Sequence, residues 1–80
     1  MENNLSLVKD SFKELPNNIE AEQSVIGSIL VTNEIFDEIS TIISNVNFYD
    51  PMHQKIYNAI ESLIYKGMLA NPITLKNYFE

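Results

Sequence analysis

Two helix starts with the same grammar constrain this chain more than anything else in it. Pro16-Asn17-Asn18-Ile19-Glu20-Ala21-Glu22-Gln23 opens one helix, and Phe48-Tyr49-Asp50-Pro51-Met52-His53-Gln54-Lys55-Ile56-Tyr57 opens another. Each sets a capping residue (Asn18 or Asn17; Asp50) ahead of a first turn that holds acidic residues or Pro. That arrangement satisfies the unpaired amide donors at a helix N-terminus. No strand alternation, repeat or low-complexity tract competes with a helical reading.

The apolar spacing extends these starts into elements. From Ile19 to Val31, Val25, Ile26, Ile29 and Leu30 fall at i, i+1, i+4 and i+5, one buried stripe. Ala21, Ser24, Gly27 and Ser28 form a second run of small residues, which would let another backbone approach closely. Gly27 costs about 1 kcal/mol relative to Ala inside a helix, so a packing reason for it fits. After Thr32-Asn33, a helix from about Glu34 to Ile43 turns Ile35, Phe36, Ile39, Ile42 and Ile43 inward and Asp37, Glu38 and Ser40 outward. Its acidic first turn suits the helix dipole.

Ser44-Asn45-Val46-Asn47 is a polar connector. Beyond it, either Tyr49 staples over Met52 to Gln54 or Phe48 plugs the core. The third helix, Pro51 to Lys66, carries Met52, Ile56, Tyr57, Ile60, Leu63 and Ile64 inward and stops at Gly67. Asn71-Pro72-Ile73-Thr74 starts a fourth, with Leu75, Tyr78 and Phe79 at i, i+3 and i+4. A stripe only just established at Glu80 reads as a fragment of a longer protein. The expectation is an all-α small helical bundle of about four helices over residues 15–80. A flexible N-terminal tail over 1–14 precedes it, where Leu5, Val8 and Phe12 are too few to hold a helix alone. Leu15-Pro16 ends the tail, since the residue before Pro leaves the helical region.

Composition narrows the function. Eighty residues at 45% hydrophobic content bury a modest core, so something outside the chain is expected to help it. With no cysteine, neither a disulfide framework nor a thiolate metal site supplies that help, and a reducing setting is the natural one. No signal-peptide pattern opens the chain, and no apolar run nears the roughly 18 residues of a membrane span. A cytoplasmic protein without membrane contact is expected. The net charge is −6, with Lys9, Lys13, Lys55, Lys66 and Lys76 as the only basic residues. Affinity for nucleic acid comes largely from cations on phosphates, so this segment is not expected to grip DNA directly. Its acidity would suit a basic protein surface, but the plainer reading is that Glu and Asp keep a small domain in solution.

Catalytic chemistry is not legible. Gly27 and Gly67 are the only glycines, too few for a phosphate loop or dinucleotide fingerprint. A lone His53 with Asp50 nearby lacks the ligand count of a zinc or calcium site. In the first turn of its helix, with no nucleophile or orienting third group, His53 reads as a packed or capping side chain. Glu20 and Glu22, two apart, do not face each other and read as partners of the helix dipole. No catalytic, cofactor-binding or metal residue is expected in this segment.

The contents of the two helix starts carry a resemblance. Pro16 through Leu30 resembles the opening helix of the N-terminal domain of DnaB-type replicative DNA helicases. Phe48-Tyr49, His53 and Ile56-Tyr57-Asn58-Ala59-Ile60 resemble that family's third helix at the same separation. Ile35-Phe36-Asp37-Glu38-Ile39 fits the helix between, and Gly67 followed by Ile73-Thr74-Leu75 fits the start of the next. Asn71 stands where the family often has an Asp cap, an exchange that keeps the acceptor.

The resemblance implies a collar. In such helicases these domains assemble on one end of a hexameric ring as paired protomers and contribute to docking primase and loader. A separate RecA-like motor, with ATP and Mg, does the chemistry on single-stranded DNA. The family's domain continues into a C-terminal helical hairpin that pairs protomers, and this chain ends before it. The expected core residues are Val25, Ile26, Leu30, Ile39, Phe48, Ile56 and Ile60, and the candidate contact residues are Ala21, Ser24, Ser28, Leu75, Tyr78 and Phe79.

Two rivals stand beside this reading. The helicase-binding C-terminal domain of a primase shares the fold, but the Glu20-Ala21-Glu22-Gln23 helix and its nearness to Met1 favour the helicase. Acyl carrier proteins are acidic helical domains of similar length that modify a Ser after an Asp at a helix start. Here Asp10-Ser11-Phe12 lies in the tail, so no modification of Ser11 is expected.

Overall fold

The structure is a computed structural model and describes residues 18–80. The tail over 1–14, Ser11, the Leu15-Pro16 boundary and the Asn17 cap lie outside the described residues. The elements are α1 (Ile19–Val31), α2 (Phe36–Ile39), α3 (Pro51–Tyr65) and α4 (Pro72–Phe79), with 3₁₀ turns at Asn33–Ile35 and Asn45–Asn47. The described chain is all-α, a small bundle in which α3 packs against both α1 and α4.

The caps set these boundaries. Asn18 Oδ1 accepts the Ala21 amide of α1 at 3.0 Å, and Asp50 accepts the Met52 amide of α3 at 2.8 Å behind Pro51. Asn71 and Thr74 form a reciprocal capping box on α4. At the end of α3, Gly67 takes φ 78°, the left-handed region that favours glycine. The Met68 amide then reaches the Leu63 carbonyl and the Gly67 amide the Ile64 carbonyl, each at 2.9 Å, which closes a Schellman motif.

The second helix departs from expectation. A continuous helix over Glu34 to Ile43 is replaced by a 3₁₀ turn, the single turn of α2, and i to i−3 bonds from Thr41 and Ile42. Ser40 Oγ and Thr41 Oγ1 donate to the carbonyls of Asp37 and Glu38, competing with the helical ladder where it would continue. The tightened turn leaves Ile42 exposed while Ile43 is buried. Met52, also expected inward, is exposed, because the first turn of α3 directs His53 inward in its place.

Val25, Ile26, Ile29, Phe36, Ile39, Ile43, Phe48, Tyr57, Ile60 and Leu63 build the core. Leu30 and Ile56, expected in it, sit half-buried at its edge. Of the two roles open to the residues before α3, the structure adopts the plug: Phe48 is 1% exposed and Tyr49 66%. The Phe48 and Phe36 rings lie 5.0 and 5.5 Å from Tyr57, within the range where aromatic pairs attract. Tyr57 Oη donates to the Ile43 carbonyl at 2.7 Å, satisfying the one polar atom of that cluster. Burial, with Glu61's charge adding, pushes the phenol up to about 12. Asn33 ties the far end: its Nδ2 donates to Ile29 and Ala70 carbonyls and its Oδ1 accepts the Ala70 amide at 2.7 Å.

Candidate functional site

The first site is a buried carboxylate clasp. Glu22 is fully buried on α1, on the same face as Val25, Ile26 and Ile29. Its Oε2 accepts the Tyr49 amide at 2.5 Å, and its Oε1 accepts the Asp50 amide at 3.2 Å. His53 Nδ1, on the first turn of α3, meets Oε1 at 2.7 Å. A buried carboxylate is tolerable only when donors replace its water, and here three do. Glu20 and Glu22 are therefore not equivalent dipole partners: Glu20 is exposed, and Glu22 fastens the start of α3 to α1. The signal was in the register. Glu22 lies at i−3, i−4 and i−7 from the buried stripe of α1, and His53 stands at i−4 and i−7 from Tyr57 and Ile60. Two polar residues in two apolar stripes mark a buried pair.

The two candidate contact surfaces come next. Ser24 and Ser28, with Gln23, Gly27 and Val31, line one open depression of about 370 Å³ on the outer face of α1. Ala21 is buried in the core and is not offered on that face. A Cβ added at Gly27 would meet nothing within 4 Å, so no neighbour among the described residues requires glycine there. On α4, Leu75 is buried, whereas Tyr78 and Phe79 are exposed with their rings edge to face at 5.4 Å. Tyr78 also borders a shallow groove between α3 and α4 lined by Leu63, Lys66, Met68, Thr74 and Asn77.

Among the described residues, no group of three or more His, Cys, Asp or Glu is placed to hold a metal ion. No described helix is long and apolar enough to cross a membrane. The fold and its sites define a small all-α module of capped helices, joined by a buried carboxylate–histidine hydrogen bond, with polar and aromatic surfaces on opposite elements.

The chain belongs to the DnaB-like helicase N terminal domain family, whose model matches residues 14–80. It is 49% identical over 63 residues to the replicative DNA helicase DnaB of Rickettsia typhi, covering 79% of this chain and 13% of that protein. To the replicative DNA helicase DnaB of Buchnera aphidicola it is 39% identical over 77 residues, covering 96% of this chain and 17% of the relative. The Mycobacterium leprae protein of the same name is 31% identical over 67 residues, 84% of this chain and 11% of its own length. The chain thus spans only 11–17% of these relatives. No solved structure matches it.

Proposed function

We propose that this chain is the collar portion of a hexameric replicative DNA helicase, supporting ring assembly and the docking of primase and loader in the cytoplasm. The family match across residues 14–80 carries this reading. In it, ATP and Mg belong to a motor outside the chain, which does the unwinding. The charge balance supports the division: from Asn18 to Gln54 there is no Lys or Arg, so these elements offer little to a phosphate backbone. Ser24 and Ser28 on α1 and Tyr78 and Phe79 on α4 are the proposed contact residues. The relatives are helicases and not primases, which favours this reading over the primase-domain rival.

Deleting residues 18–80 from the parent helicase tests the proposal. Expected is retained ATP binding with loss of co-sedimenting primase. Undiminished primase association, or ATP binding lost with the deletion, would overturn it.

A further inference from the structure

The clasp gathers three donors on one buried carboxylate. With Glu22 ionised, both oxygens act only as acceptors, and all three groups facing them are donors: the Tyr49 amide, the Asp50 amide and His53 Nδ1–H. Among the described residues His53 Nε2 has no hydrogen-bond partner, and it is not among the buried unpartnered atoms, so it meets solvent at the edge of a side chain 10% exposed. A proton arriving at Nε2 makes the ring an imidazolium beside the carboxylate and leaves every bond of the clasp in place. The next proton finds only the carboxylate. Both lone pairs of Oε1 are taken by the Asp50 N–H and the imidazolium, so the proton goes to the remaining lone pair of Oε2, where it discharges the acceptor that all three donors share, inside a side chain with no exposed surface to turn the new O–H to water.

The surrounding groups do not relieve this. Asp50, the N-cap of α3, has its carboxylate bonded to the Met52 amide, and the Tyr57 hydroxyl is committed to Ile43. Glu20 on α1 and the Tyr49 side chain before α3 are exposed, and Lys55, the first cation after Asn18, is exposed as well. We propose that Glu22 and His53 form a two-proton latch. The first proton, on His53, is taken up with the clasp closed, and the second, on Glu22, opens it and releases the Tyr49–Asp50 backbone from α1.

The test is an NMR titration of the 80-residue chain that follows the His53 ring nitrogens, the Glu22 carboxyl carbon and amide exchange at Tyr49 and Asp50. As His53 charges, both amides should keep their protection. When the Glu22 carboxyl protonates, both should lose at least tenfold together, while Ile60 in α3 stays protected. His53→Gln, which keeps a neutral donor toward Oε1, should lose the first step and retain the second. Glu22→Gln should leave both amides weakly protected at every pH. Amides that open in step with His53, or that stay protected after Glu22 is protonated, would overturn the latch.

Discussion

Replacing Glu22 by Ala removes one residue and leaves three donors facing an empty acceptor. The Tyr49 amide, the Asp50 amide and His53 Nδ1 all lose the carboxylate, which is itself fully buried. A hydrogen bond to a charged acceptor contributes about 1.5–3 kcal/mol, and the three share one side chain, so their losses do not simply add. A buried donor left without its acceptor costs about 1–3 kcal/mol, and with three of them sharing one site a total loss of about 2–4 kcal/mol is expected here. A chain of this length has a total stability on the order of 4–12 kcal/mol, so the variant loses a large part of it. Glu20→Ala is the control, since Glu20 is acidic, in the same helix turn and exposed. It should change stability by no more than about 1 kcal/mol, the scale of a dipole interaction. Urea unfolding followed by circular dichroism at neutral pH compares the two. Adding His53→Ala to Glu22→Ala should cost much less than the sum of the singles, because the pair is already broken. Glu22→Ala unfolding within about 0.5 kcal/mol of Glu20→Ala, half the dipole scale, would refute the reasoning.

The glycines should respond with opposite signs. Gly67→Ala forces a Cβ into a left-handed turn and should destabilise by about 1–2 kcal/mol, whereas Gly27→Ala, with open space around the new methyl, should stabilise by about 0.5–1 kcal/mol. Tyr57 should resist ionisation until about pH 12, read by its absorbance, whereas an unfolded tyrosine ionises near pH 10. Because the folded phenol holds its proton longer, its stabilising effect is complete below the unfolded value and is lost as pH rises toward about 12. Tyr57→Phe should remove that dependence and cost about 1 kcal/mol in urea unfolding through the lost bond to Ile43. Tyr78→Ala with Phe79→Ala should cost less than about 1 kcal/mol of stability, since both rings are half exposed, yet weaken primase binding by the parent at least tenfold in a titration.

Caps and periodicity carried most of the fold. Asn18, Asp50, Asn71 and Gly67 each sit where local chemistry leaves few options, and the structure uses all four as helix ends. The second helix was less legible because its outcome depends on Ser40 and Thr41 donating to nearby carbonyls, a competition that apolar spacing does not register. Leu30 and Ile56 carry the right period but fall at the edge of a small core, where stripe width exceeds what neighbours can cover. The clasp was missed for another reason. Glu22 and His53 are 31 residues apart, and each alone has an ordinary local explanation. Their shared meaning arises only when α1 and α3 meet. For the candidate contact residues, helical spacing grouped them on their helices, but only packing decides that Ala21 and Leu75 turn inward while Ser24, Tyr78 and Phe79 stay out.

The central claim is that this domain works through protein contacts and leaves nucleic acid to another part of its parent. Fluorescence anisotropy of labelled single-stranded DNA, with the 80-residue chain added at physiological salt, tests it most directly. The account predicts no binding up to about 100 µM, the weak end of non-specific affinities. Binding tighter than about 1 µM that falls steeply with added salt would contradict it.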